Sequence, residues 1–148
     1  MRLPIAGALA LVIALPAAAQ DLSTTPAIAG NWSYAPSSDG SEAVFANGAG
    51  SPQLWVHCSR VTRRITISKI ETAATPTMNV WTSSLSRSVA SSFNPAAGRL
   101  TIDLANYDPL LDAIVSSRGR VGFTAGSQQP LVVPPWAEVA RVIEDCRA

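Results

Sequence analysis

Residues that carry chemistry are scarce in this 148-residue chain, which has one histidine and two cysteines. Any catalytic triad must therefore use His57, and no nucleophile elbow accompanies it. A zinc site would need that single histidine together with Cys58 or Cys146 as thiolates, so no metal and no cofactor is expected. No CxxC pair occurs, which argues against a thiol redox motif. Eleven basic residues nearly balance ten acidic ones, and the formal net charge of +1 includes Arg2. Without a basic field, nucleic acid is a poor partner. Ser, Thr, Arg and Gly interrupt every later apolar stretch, so no membrane span is expected. There is no internal repeat and no heptad pattern.

What is present begins with Arg2, an apolar run from Ile5 to Leu15 and the small-residue exit Pro16-Ala-Ala-Ala19 before Gln20. A basic start, a short apolar core and an A-x-A site read as a signal peptide over residues 1–19, and the apolar run is too short to span a bilayer. No cysteine follows the site, which excludes lipidation there. The expected product is periplasmic or secreted. Residues 20–29, rich in Thr, Ser and Ala with a proline, are expected to form a flexible lead-in. Residues 30–148 then suffice for a single domain with its own core.

Two distant cysteines in an exported chain favour a structural disulfide. Leu54, Val56 and Cys58 alternate with Trp55 and His57, the period of a strand with one apolar face. Trp136, Val139, Ala140, Ile143 and Cys146 recur at spacings of three and four, so a helix begun by Pro135 aligns them on one buried stripe. A Cys58–Cys146 bond would pin that helix across a sheet and stabilise the fold by roughly 4–5 kcal/mol in the chain-entropy treatment.

Turn residues and alternation place short strands at Asn31–Tyr34, Glu42–Phe45, Leu54–Ser59 and Arg64–Ile70. Further strands are expected at Met78–Thr82, Ser86–Phe93, Leu100–Leu104, Arg120–Thr124 and Leu131–Val133. Asp108 is suited to cap a short helix with Pro109 in its first position, and Gly119 to end it in a left-handed conformation. The fold class is α+β. It is expected to be an antiparallel β-meander or small sandwich, with a short inserted helix and a C-terminal helix pinned to the sheet by the disulfide.

Leu54-Trp-Val-His-Cys58, Trp81-Thr-Ser-Ser with Arg87 downstream, Tyr107-Asp-Pro-Leu-Leu-Asp112, Ser117-Arg-Gly-Arg120 and Pro135-Trp-Ala-Glu-Val-Ala-Arg141 resemble small periplasmic proteobacterial proteins of unknown function. The likeness spans most of the mature chain. More distantly, the order strand-Cys, strand-Arg, apolar strand, terminal helix-Cys is similar to VasI-type periplasmic proteins associated with type VI secretion. That resemblance implies an exported, disulfide-pinned sandwich or sheet-plus-helix domain and carries over no catalytic residue.

Each candidate chemistry has a structural counterpart. Ser59 or Ser68 with Asp103 could sit near His57 on one sheet face, but a surface histidine beside a tryptophan explains the same pattern. Asp103, Asp108 and Asp112 are the right residue type for calcium, yet their spacing matches no calcium loop and helix capping accounts for Asp108. Asn31-Trp-Ser33 matches a glycosylation acceptor only as a short motif. Arg60, Arg63 and Arg64 crowd one hairpin turn, where guanidinium groups grip anions or simply discourage edge pairing. Arg87 shares its parity with Leu85, Val89 and Phe93, which aims it inward, so it needs a partner such as Asp112, Glu144 or Asp145.

Alternation puts Trp55, His57, Arg64, Thr66, Ser68, Trp81, Thr101 and Asp103 on the face opposite the disulfide. Tryptophans among hydroxyls suit a sugar- or peptide-binding surface, and Trp55, His57, Trp81, Arg63 and Arg64 are its candidate residues. Covering of both rings by a helix or second sheet is the alternative. The sequence therefore points to an exported, non-enzymatic binding or interaction module whose partner is an envelope protein or a cell-wall component. A small envelope hydrolase or enzyme inhibitor is the competing reading.

Overall fold

The computed structural model describes residues 20–126 and 128–148, and the expected signal peptide, residues 1–19, lies outside them. The strands are β1 (Gly30–Ser37), β2 (Gly40–Asn47), β3 (Pro52–Ser59), β4 (Arg64–Ile70), β5 (Thr77–Trp81), β6 (Ser86–Asn94), β7 (Arg99–Ala105), β8 (Val121–Ala125) and β9 (Leu131–Val133). The helices are α1 (Pro109–Val115) and α2 (Ala137–Arg147). The strands form one nine-stranded sheet in the order β1-β2-β3-β4-β7-β6-β5-β8-β9. All its pairings are antiparallel, and it curls into a half-barrel closed by the helices.

The first four strands follow one another as hairpins. β5, β6 and β7 then return in reverse, so that β7, not β5, lies beside β4. β6 makes the turn possible because its first half, from Ser86 to Ala90, pairs with β5 and its second, from Ser91 to Asn94, pairs with β7.

Period-two alternation sends one set of side chains to the concave face. Ala43, Val56, Ile67 and Ile102 sit side by side across four strands, and Cys58, Ile65 and Leu104 form the next row. All are buried. Leu110, Leu111 and Ile114 of α1 and Val139, Val142 and Ile143 of α2 fill the concavity from the other side. Each such side chain contributes about 1.5–3 kcal/mol when fully buried. The space left between Trp32, Phe123, Pro134 and Val139 is only about 10 Å³, at the margin of what one water needs. Among the described residues, the interior around these side chains is a packed core.

Cys58 and Cys146 are bonded, with their Cα atoms 5.5 Å apart and a sequence separation of 88. The stripe behind Cys146 differs from expectation. Trp136 is 54% exposed, and Val142 takes its place beside Val139, Ile143 and Cys146. Trp136 stands before the first turn in an extended conformation (φ −129°, ψ 169°), so the helical phase that aligns the later residues does not reach it. α1 is capped as expected, the Asp108 side chain accepting the Leu110 N–H. It ends at Val115, and the left-handed Gly119 (φ 75°) serves the turn into β8 instead of the helix end.

The lead-in is packed, contrary to its loop-like composition. Leu22 is 1% exposed and occupies the space a side chain at Gly122 would need. The Ile28 N–H donates to the Val132 carbonyl at 2.9 Å, and Arg120 Nη1 donates to the Thr25 carbonyl at 2.6 Å. One leucine, one backbone bond to the β9 edge and one arginine side chain hold a segment that is otherwise small and polar. Among the described residues no helix is long and apolar enough to cross a membrane.

Candidate functional site

The convex face carries the residues that alternation assigned to it, but not as one surface. Trp55 stands in a row with Val44, Ser68 and Thr101. The Arg99 guanidinium lies 3.4 Å above its ring centre, and Trp55 is only 8% exposed. Trp81 is on β5, four strands away from β3, a separation of about 19 Å at strand spacing. The two rings are not neighbours, and Arg99 already occupies the stacking face of the first.

His57 sits in the next row, between Glu42 and Thr66, with Asp103 beyond. Its Nε2 is 3.2 Å from Asp39 Oδ2 and its Nδ1 is 3.8 Å from Glu42 Oε2. The hydrogen bond from His57, with one from Ser37, holds the Asp39 carboxyl below its ordinary value. Both ring nitrogens thus face carboxylates, and neither is directed to a nucleophile.

The three arginines of the β3–β4 hairpin diverge. Arg64 Nε donates to Asp103 Oδ1 at 2.9 Å on the convex face. Arg60 reaches toward Asp145 of α2 at 3.7 Å. Arg63, with a left-handed φ of 52°, stays exposed at the tip, where its carbonyl accepts the Asn106 N–H at 3.2 Å.

Arg87 is aligned with Val80 and Phe123, as its parity requires. Its partner is not Asp112, Glu144 or Asp145 but Asp108, reached by Nη2 at 2.8 Å. Asp112 is engaged by Arg147 at 2.9 Å, and Asp145 accepts the Tyr34 hydroxyl at 2.6 Å. Asp108 caps α1 with one oxygen and holds Arg87 with the other. Burial raises its carboxyl, but the Arg87 hydrogen bond, the Leu110 N–H and the nearby guanidinium charges outweigh that, so it titrates below the ordinary carboxylate value.

The most unusual site is one the sequence reading passed over. Lys69, the chain's single lysine, continues the inward parity of Ile65 and Ile67 on β4. It occupies the row Phe45, Leu54, Lys69, Leu100, Phe93, whose other members are apolar. Its ammonium is paired with Glu71, just past the strand end. Lys69 is 4% exposed and Glu71 is 6%. The pair lies at one end of the half-barrel, in an open cleft of about 240 Å³ lined also by Gln53, Ile70, Thr72, Gln128, Gln129, Pro130 and Leu131. The signal was available: Lys69 is inward by simple alternation, and an inward lysine demands a partner.

Comparison of this chain with protein-family models, curated proteins and solved structures found no match.

Proposed function

We propose that this chain is an exported, non-enzymatic binding or interaction module whose ligand enters the cleft over Lys69 and Glu71. The observation that carries this reading is the buried ion pair at the floor of an open cleft. Taking two charges out of water costs several kcal/mol each, and well-packed apolar residues often stabilise a fold more than a buried pair does. A core row built of Phe45, Leu54, Leu100 and Phe93 has no need of a lysine. A cleft that holds polar groups of a ligand does need fixed donors and acceptors beside an apolar wall.

The short apolar run with its A-x-A exit, together with the Cys58–Cys146 bond, supports a periplasmic or secreted location, since disulfides persist in oxidising compartments. The partner in that setting is an envelope protein or a cell-wall component. Kinship with small periplasmic proteobacterial proteins, and more distantly with VasI-type proteins, belongs to the same proposal. A hydrolase is less well supported, because His57 has both nitrogens turned to Asp39 and Glu42. An inhibitor is favoured by one feature only: Val61, 85% exposed, tops the β3–β4 hairpin that the disulfide anchors three residues away. A preordered loop of that kind loses little freedom on binding.

The test is a titration of ¹⁵N-labelled mature protein with soluble cell-wall fragments. Shifts concentrated at Gln53, Thr72, Gln128 and Gln129 are expected. Shifts confined to Val61 and its neighbours would favour the inhibitor reading, and no response to any envelope fraction would remove the cleft reading.

A further inference from the structure

We infer that the cleft binds a neutral sugar through two adjacent hydroxyl groups, one accepting a hydrogen bond from Lys69 Nζ and the other donating one to the Glu71 carboxylate. This deepens the cleft reading above and rests on it. An ammonium carries three donors, and among the described residues Lys69 Nζ donates only to Glu71 Oε1. Two donors remain unspent in a side chain that is 4% exposed. Glu71 Oε2 accepts no bond from a described residue and is not sealed from solvent, so it is open to the cleft that the pair lines. A donor and an acceptor in mutual contact therefore serve one small volume.

Contact between the two groups selects the shape of the ligand. Whatever bridges them must offer an acceptor and a donor side by side, about one hydrogen-bond length apart. Gauche hydroxyls on neighbouring ring carbons have that separation, and each hydroxyl can donate or accept. A trans secondary amide does not, since its C=O and N–H lie on opposite sides. Charge narrows the choice further. An anion drawn to Lys69 meets Glu71 at close range, and a cation drawn to Glu71 meets Lys69, away from water where like charges repel strongly. Neutral hydroxyls meet neither penalty, and their hydrogen bonds to ionised partners are stronger than those between neutral groups. Gln53, Gln128 and Gln129 bring no charge to the rim and offer amide donors and acceptors to a ring's other hydroxyls. Ile70, Pro130 and Leu131 form an apolar wall suited to the C–H face of a pyranose.

Two ¹⁵N chemical-shift titrations of the mature protein test this. The first compares trans-1,2-cyclohexanediol with trans-1,4-cyclohexanediol, which has the same ring and as many hydroxyls but sets them apart. The second compares soluble cell-wall fragments before and after periodate oxidation and borohydride reduction, which together cleave the C–C bond between adjacent hydroxyl-bearing carbons and leave neutral alcohols. The expected result is shifts at Gln53, Gln128 and Gln129 with the 1,2-diol and with untreated fragments. The 1,4-diol and the oxidised fragments should each bind at least about tenfold more weakly, as loss of a hydrogen bond to a charged group implies. Equal binding of the two diols, or tighter binding of acetamide, acetate or methylamine, overturns the diol assignment while leaving the cleft as a binding site. So does binding of fragments that survives periodate. Absence of cleft shifts with both diols also overturns it, and if cell-wall fragments are equally silent the cleft reading falls as well.

Discussion

Lys69 and Arg87 both stand on the inward parity of their strands, and each meets its burial in a different way. Arg87 lies at the margin of the core, its side chain 36% exposed, and leans on the Asp108 cap at 2.8 Å. Solvent screening keeps such a pair modest, at about 1 kcal/mol or less. Arg87→Ala should therefore cost roughly 1 kcal/mol. Asp108→Ala should cost more, about 1–3 kcal/mol, because it removes a helix cap as well. Urea melts of the two variants measure the difference, and a neutral Asp108→Ala would show that the cap and pair hold nothing together. The inward aim of Arg87 was legible in its spacing from Val89 and Phe93, but its partner was not. Which carboxylate meets it depends on how α1 crosses the sheet, and no local pattern encodes that. The tryptophans teach the same point: alternation gave Trp55 its face, while the Arg99 that covers it comes from β7 and is brought near only by the sheet order.

Among the elements, α2 depends most on contacts that are far away in sequence. It is joined to β3 by the disulfide. The Asn106 side-chain amide donates to the Cys146 carbonyl at 3.0 Å, and the Tyr34 hydroxyl donates to Asp145. Its own N-terminus has no side-chain cap, so an eleven-residue helix of this kind would be marginal alone. Cys146→Ala should remove up to about 4–5 kcal/mol by the chain-entropy estimate and should speed amide exchange in α2 before it does so in β3 and β4. Uniformly slow exchange in that variant would mean that the apolar stripe alone holds the helix. The alternation of β3, β4 and β7 made these strands readable, because one face is buried and the other is not. The reversed order of β5, β6 and β7 was unreadable, since hairpin signals say that neighbours pair and say nothing of which edge the next hairpin joins.

For the whole molecule, acid should be the weak side. Asp39, Asp108 and Asp145 all titrate below the ordinary value of 3.8: Asp39 through His57 and Ser37, Asp108 through Arg87 and Leu110 against its burial, and Asp145 through Tyr34 against its burial. A carboxyl depressed in the folded state contributes stability that is fully present above its unfolded pKa and is lost as pH falls through its folded pKa. The melting temperature should therefore decline below about pH 4, and Asp108→Asn should lessen that decline. A steeper decline in the variant would contradict the sign of the shift.

Fold class, disulfide and most strands were legible because burial imposes periodicity on a sequence, whereas the cleft was legible only as one lysine in an apolar parity. What that lysine is for can be decided by replacing the pair together, in Lys69→Met/Glu71→Leu, and measuring thermal stability and the titration with cell-wall fragments on the same sample. If the pair serves a ligand, the double variant melts at or above the wild-type temperature and loses the shifts at Gln53, Gln128 and Gln129. If instead it melts well below wild type while the cleft shifts persist, Lys69 and Glu71 hold the fold and do not hold a ligand.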